Sequence, residues 1–280
     1  MNTLQLLNLG SEILKKNKIS SYLIDSEIIL SKILNLSREK LLINEKGISS
    51  KNILKFKRKI RRRSRSEPIA YIFKTKEFMG SDFFIDHKSL IPRPETELLI
   101  EPIMKIFKNK NLFFLEIGTG SGCIILSLLN NLKYSKGIGI DVCKKTIKNC
   151  KINLKKFNLE NKCKIMHKSI DGLNSIKFDL VVSNPPYIVR RDIKRLSNDI
   201  KRFEPTVALD GGNDGLDVIK KVIYKSTKIL KLNGILALEI GYGQHRLVKN
   251  LLMKNNFKEK LVIKDYKNNI RCIFSTLLKK

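Results

Sequence analysis

The sequence predicts an α/β fold: a doubly wound, seven-stranded sheet preceded by an N-terminal helical bundle and joined to it by a β-hairpin. Three observations predict it. Residues 1 to about 65 carry apolar residues at helical spacing, residues 68–90 change to short alternating runs, and beyond Asn111 strand-like and helix-like segments alternate. Alternation of that kind implies parallel strands with helices on both faces. The boundaries are 1–75 for the helical module, 76–90 for the hairpin linker and 91–280 for the sheet domain.

In the helical module the repeating apolar positions are Leu6, Leu7, Ile13 and Leu14, then Ile24, Ile28, Ile29, Ile33 and Leu34, then Ile53, Leu54 and Ile60. Breaks fall at Lys18-Ile19-Ser20, Leu36-Ser37 and Lys46-Gly47, each followed by a serine able to cap the next helix. The hairpin is read from Ala70–Phe73 and Asp82–Ile85 around a Met79-Gly80-Ser81 turn. Pro92 and Pro94 then lead into a helix through Leu98, Leu99, Ile103 and Phe107.

Strands follow at Leu112–Ile117, Gly137–Asp141, Cys163–His167, Phe178–Ser183 and Ile235–Ile240, with helices at Cys123–Leu132, Lys144–Phe157 and Leu216–Leu230. Lys260–Lys264 and Ile270–Leu277 read as a closing antiparallel pair.

Of the 280 residues, 42% are hydrophobic, enough for a sizeable core. No apolar run reaches bilayer length, and the N-terminus lacks the order of an export signal, so a cytoplasmic protein is expected. Cys123, Cys143, Cys150, Cys163 and Cys272 form no Cys-x-x-Cys pair, and His87, His167 and His245 are far apart. Reduced thiols and no metal site are expected. The net charge of +30 invites a nucleic-acid reading. Lysine, however, is abundant along the whole chain, and only residues 55–65, KFKRKIRRRSR, concentrate the charge. That stretch is either a solvated helix face or a surface for weak contact with nucleic acid or the ribosome.

Two motifs carry chemistry. Gly118-Thr119-Gly120-Ser121-Gly122 ends one strand and opens a helix. Glycines there let the chain turn tightly and let a ligand lie against bare backbone. The next strand ends in Asp141, placed to accept hydrogen bonds from both hydroxyls of a ribose. The Gly-x-Gly-x-Gly spacing departs from the dinucleotide pattern, and the preceding Glu116 suits a cationic sulfonium or amino group better than a pyrophosphate. S-adenosyl-L-methionine is therefore the expected co-substrate. The bland alternative is an ordinary turn followed by a surface acid.

The second motif is Asn184-Pro185-Pro186-Tyr187, leaving a later strand. Proline fixes φ, which holds the Pro185 carbonyl rigid. Asn184 adds a side-chain carbonyl. Two acceptors converging on one –NH2 can turn its lone pair toward a methyl group while the Tyr187 ring stacks on a flat substrate. Catalysis by positioning, with acceptors for the charge developing on nitrogen, needs no strong base. The plain structural alternative is a tight loop with a packing tyrosine.

The glycine loop and Asn-Pro-Pro-Tyr together resemble the class I S-adenosylmethionine-dependent methyltransferases that act on exocyclic or amide nitrogens. The flanking segments resemble one family among them, the bacterial release-factor glutamine N5-methyltransferases. They are Glu67–Ile72, Ile91–Glu97, Ser183–Ile188, Arg202–Pro205, Ala208–Gly212 with Asp214–Leu216, and Glu239–Gln244.

The resemblance covers nearly the whole chain and implies a Rossmann-like methyltransferase sheet. It implies methylation of the glutamine amide in the Gly-Gly-Gln motif of peptide-chain release factors, supporting translation termination. Asn184, Pro185 and Tyr187 would be catalytic. Gly118, Thr119, Gly120, Ser121, Gly122, Asp141, Asp171 and Asn184 would hold the cofactor. Asn184, Pro185, Pro186 and Tyr187 would grip the amide, and the N-terminal helices would dock the release factor.

Three positions depart from the family pattern. Ser169-Ile170-Asp171 stands where the family has Ser-Asp and an aromatic, so the acid that the resemblance implies near the adenine is displaced or lost. Ser66 and Lys74 stand where it has glycine. Arg93, Glu95 and Glu204 match motif positions that scaffold salt bridges and capping would equally explain. Two other readings stay open: an N-methyltransferase acting on adenine or guanine in DNA or RNA, and a decayed methyltransferase fold that only binds.

Overall fold

Helices α1 (Thr3–Lys16), α2 (Tyr22–Leu34), α3 (Arg38–Leu42), α4 (Ser50–Ser64) and α5 (Ile69–Phe73) open the chain in the computed structural model, which describes residues 1–43, 47–173 and 176–278. They belong to a unit of Met1–Lys74 with Ser197–Phe203; a second unit holds Thr75–Leu196 and Glu204–Lys280. Asn2 and Gln5 cap α1 reciprocally. The Ser37 and Ser49 hydroxyls accept from the first turns of α3 and α4. Ser21, by contrast, donates to Asp25 instead of capping α2. The expected breaks near Ser20 and Ser37 separate helices, and at the third, Lys46 lies outside the described residues.

Leu6, Leu14, Ile29, Leu30, Phe56 and Ile60 form the core of this unit. Gly10 lets α1 approach closely, because a Cβ there would stand 2.5 Å from Ser26 Oγ and 2.6 Å from the Phe56 ring. One arginine of the basic stretch is structural: Arg63 is buried on α4, its Nε donating to Asp25 Oδ2 at 2.6 Å.

Ala70–Phe73 is helix, not the first hairpin strand. The N–H groups of Tyr71 and Ile72 both bond to the Pro68 carbonyl, so the proline opens a helical turn, and Lys74 at φ 57° closes it. The hairpin lies one segment later, with β1 (Thr75–Phe78) and β2 (Ser81–Phe84) turning at Met79 and Gly80. Positive φ at both turn residues suits the twist of a two-residue hairpin. Ser66 and Lys74, where the family pattern has glycine, both adopt left-handed φ, which explains the preference.

A 3-10 turn at Pro94–Leu99 precedes α6 (Ile100–Phe107). There follow β3 (Leu112–Ile117), α7 (Cys123–Asn131), β4 (Ser135–Asp141), α8 (Lys144–Lys156), β5 (Cys163–His167) and β6 (Phe178–Ser183). After α9 (Asn198–Phe203), which belongs to the first unit, come α10 (Asp217–Ile229), β7 (Leu230–Glu239), α11 (His245–Lys254), β8 (Phe257–Lys264) and β9 (Ile270–Leu277).

Strand order is β5-β4-β3-β6-β7-β9-β8, parallel through β7 and antiparallel at β9 and β8. Strands β4, β7 and β8 begin earlier than read. Helix α11, which buries Val248 and Leu252, has no counterpart among the elements the sequence predicts. Successive strand residues point to opposite faces, so Phe114 and Leu180 enter one core while Leu115 and Val181 enter the other.

Removing one partner of the buried Arg63–Asp25 pair leaves a charge without compensation. Asp25→Ala is expected to cost about 3–5 kcal/mol of unfolding free energy, and an apolar replacement of both residues to cost much less. Urea denaturation of the two variants checks this.

Candidate active site

The sheet places both chemical motifs on one edge. Order reverses between β3 and β6: β3 continues through α7 to β4 on one side, while β6 pairs on the other. In open α/β sheets the crevice beyond the strand ends at such a point is where ligands bind. Ser183 Oγ donates to the Ile117 carbonyl at 2.8 Å, tying the two strand ends together. Gly118 and Asn184 therefore leave adjacent strands side by side.

The three loop glycines separate by what surrounds them. Gly118 and Gly120 have φ of 74° and 56°, and a Cβ on Gly118 would meet nothing within 4 Å. Both border a cavity of about 280 Å³ that also touches Asp141, Ile170, Asn184 and Pro186. Gly122, at φ 84°, faces inward, where a Cβ would stand 2.7 Å from Cys150 Sγ. Two glycines thus keep open space, and the third lets α7 pack against α8.

Asp141 ends β4 at the cavity. Its Oδ2 accepts from Gly120 N–H at 3.0 Å and its Oδ1 from Cys143 N–H at 2.8 Å. Burial raises its carboxyl above the usual range, and these backbone bonds offset part of the rise. Each oxygen keeps a lone pair for a further donor. Open backbone at Gly118 and Gly120 and a carboxylate at the next strand end fit the ribose-bearing portion of S-adenosylmethionine. Farther along the cavity Ile170 is buried, whereas the Asp171 side chain is 62% exposed and paired with Lys225 Nζ at 3.1 Å. Ser169 also donates to it.

Glu116, Thr119 and Ser121 are buried on the other side of the loop and border a smaller cavity shared with Arg93, Thr96 and Asn184. Glu116 Oε2 accepts from Thr119 Oγ1 at 2.6 Å and from Ile125 N–H at 3.1 Å, holding loop and helix start together. Burial pushes its carboxyl up to about 8. A cation in that cavity would favour the ionised form.

Asn184, Pro186 and Tyr187 are half-buried and Pro185 buried. Asn184 Nδ2 donates to Thr96 Oγ1 at 3.0 Å, and Tyr187 OH to Glu239 Oε1 at 3.2 Å. Burial and the neighbouring Glu239 raise the Tyr187 phenol well above its ordinary value.

Residues of two other matched stretches, Ala208–Leu216 and Glu239–Gln244, form a cradle for this tyrosine that local sequence spacing does not reveal. Gln244 Nε2 donates to the Tyr187 and Gly215 carbonyls, and its Oε1 accepts from Gly241 N–H. Gly241 leaves room for the ring, since a Cβ would lie 3.0 Å from Tyr187 Cδ2. Gly211 and Gly215 admit the Tyr187 backbone more closely still, since a Cβ would lie 2.8 Å from Tyr187 Cα and 2.6 Å from its carbonyl oxygen, respectively. Glu204 serves the scaffold: its Oε1 accepts from Arg93 Nη2 at 2.5 Å and its Oε2 from Ile91 N–H. Glu95 is half-buried near Glu239. Among the described residues, no group of three or more His, Cys, Asp and Glu side chains is placed to hold a metal ion.

A family model described as PrmC N-terminal domain matches residues 5–73, and one described as Methyltransferase small domain matches residues 94–200. The release factor glutamine methyltransferase of Clostridium acetobutylicum is 37% identical over 273 residues, covering 94% of each chain. That of Clostridium botulinum is 38% identical over 94% of this chain and 95% of its own. The crystal structure of a methyltransferase from Pyrococcus furiosus superposes with a TM-score of 0.56 at 18% identity, over 78% of this chain and 99% of that one, a likeness of fold.

Asp141→Ala removes the carboxylate assigned to the ribose and is expected to weaken S-adenosylmethionine binding by about 1–3 kcal/mol. Calorimetric titration measures this, and an unchanged affinity would refute the assignment.

Proposed function

This chain belongs to the release factor glutamine methyltransferase family, and from that premise we propose that it methylates the side-chain amide nitrogen of the glutamine in the Gly-Gly-Gln motif of peptide-chain release factors. The observation that carries the reading is the adjacency of Asn184 to the open glycine backbone of Gly118 and Gly120 around one cavity. S-adenosyl-L-methionine is the co-substrate, and it supplies an electrophilic methyl group on a cationic sulfur. The Gly118–Gly122 loop and Asp141 hold it, with Ile170 as an apolar wall and Asp171 at the rim.

Asn184 Oδ1 and the Pro185 carbonyl accept the two hydrogens of the substrate –NH2. An amide nitrogen is a poor nucleophile because its lone pair is delocalised. Fixing both hydrogens turns that lone pair toward the methyl group, and this positioning supplies much of the catalysis. The same acceptors stabilise the positive charge that develops on nitrogen as its new bond to the methyl carbon replaces the carbon–sulfur bond; neutral S-adenosylhomocysteine leaves, and one N–H proton passes to solvent. Pro186 and the Tyr187 ring complete the pocket for the flat amide.

The helical module, residues 1–75, has no cofactor-binding or catalytic candidate and is read as the part that docks the release factor. The exposed Lys55, Lys57, Arg58 and Arg61 of α4 support a weak, salt-sensitive contact with RNA or the ribosome beside that role. The reading sets the activity in the cytoplasm, where release factors meet the ribosome.

Asn184→Ala is expected to abolish turnover while leaving cofactor affinity within about 1 kcal/mol, the scale of one net hydrogen bond. Mass spectrometry of a release factor after reaction locates the added methyl group on the Gly-Gly-Gln glutamine. Label from the cofactor entering only nucleic acid would replace this reading with adenine or guanine N-methylation.

A further inference from the structure

A buried relay lies behind the Asn-Pro-Pro-Tyr segment, built from two residues to which the proposed chemistry gives no role. Thr96 and Glu239 are 2% and 1% exposed. Glu239 Oε2 accepts from Thr96 Oγ1 at 2.6 Å, and Thr96 Oγ1 accepts from Asn184 Nδ2 at 3.0 Å. The other carboxylate oxygen, Oε1, takes the Tyr187 hydroxyl. One buried carboxylate thus reaches both polar side chains of the substrate pocket.

We propose that Glu239 and Thr96 are positioning residues that set the direction of the Asn184 amide and hold the Tyr187 ring. This rests on the reading of Asn184 as the acceptor for the substrate amide. An ionised carboxylate only accepts hydrogen bonds, so the Thr96 hydroxyl must donate its single proton to Glu239. Thr96 Oγ1 then faces Asn184 with lone pairs alone. Asn184 must answer with its NH2, which turns Oδ1 away from Thr96 and leaves it free for the substrate. An Asn amide not fixed in this way could present its NH2 to the substrate, placing donor against donor. The carboxylate therefore decides, two hydrogen bonds away, which end of the amide the substrate meets.

Protonation of Glu239 ends that compulsion, because the carboxyl can then donate to Thr96. Arg271 and Glu95 act on Glu239 with opposite sign, and Cys123, Tyr187 and Cys272 also lie within its electrostatic reach. Burial is the largest influence and pushes the carboxyl up to about 7. With the folded value above the unfolded one, the contribution of Glu239 to stability is full at acid pH and is lost as pH rises toward 7. Ordering of Asn184 runs the opposite way and is gained over the upper part of that window.

The test uses the full chain with a release factor as substrate. Glu239→Gln keeps the shape but can donate to Thr96, and it is expected to lower kcat about 10–100-fold, the scale of a misplaced reacting group. Cofactor affinity by calorimetry should change less than about twofold, since the change does not touch the glycine loop. The acid limb of the wild-type kcat profile near pH 7 should disappear. Thr96→Val should produce the same loss, and Thr96→Ser, which keeps the hydroxyl, should recover most of it.

Side-chain NMR of Asn184 reads the relay without turnover. Its Nδ2 protons should exchange slowly in the wild type above pH 7 and rapidly in Thr96→Val. Wild-type kcat with an intact acid limb in Glu239→Gln, or unprotected Asn184 protons in the wild type, would overturn the inference. A wild-type protein that leaves release factors unmodified but protects those protons would overturn the functional reading and leave the relay standing.

Discussion

Parallel pairing of β3 with β6 is the constraint on which the site depends. The Ser183–Ile117 contact joins strand ends 66 residues apart in sequence, at the point where the strand order reverses. Helix α7 leads from β3 to β4 on one side and α10 from β6 to β7 on the other, so a crevice remains between the ends of β3 and β6. The glycine loop leaves from one side and the Asn184 segment from the other. In the proposed chemistry neither suffices alone: the open backbone would hold the cofactor without acceptors for the amide, and the acceptors would have no methyl donor beside them.

Two buried acids, Glu116 at the end of β3 and Glu239 at the end of β7, support the two sides in different ways. Taking a carboxylate out of water is costly unless hydrogen bonds replace the lost hydration. Glu116 finds its donors within its own loop and helix, at Thr119 and Ile125. Glu239 finds them at Thr96 and Tyr187, 143 and 52 residues away. The first acid stabilises a local turn, while the second correlates the positions of segments that no local geometry would bring together. Burial raises both carboxyls, so each holds its proton to higher pH in the folded protein than in the unfolded chain, and ionising either one near neutral pH costs folded stability.

Periodicity made the sheet domain readable, because alternating strands and helices repeat their apolar patterns over enough residues to separate them. It failed where a segment is short or weakly patterned. Ala70-Tyr71-Ile72-Phe73 is apolar in either conformation, and the bonds to the Pro68 carbonyl decide for helix. Helix α11 went unread because its inward face is narrow, with Val248 and Leu252 buried while Leu247 is 53% exposed. Asn184, Asp141 and the glycines are legible as candidates because they sit in contiguous motifs, and the structure brings Gly118, Gly120, Asp141 and Asn184 to one cavity. Thr96, Glu239 and Gln244 were visible only as matched letters. Their partners lie on other elements, and no spacing along the chain encodes such a contact.

The reach of Glu239 also bears on the order in which the protein can mature. A chain emerging from synthesis has Thr96, the glycine loop and Asn184 in hand well before β7 exists. Until β7 pairs with β6, Thr96 lacks the acceptor at Glu239 and the Tyr187 ring lacks its seat at Gly241 and Gln244. The proposed cofactor cradle and the proposed substrate clamp would therefore ripen at different times. The clamp is the later of the two, because it waits on contacts of high sequence separation, which close slowly.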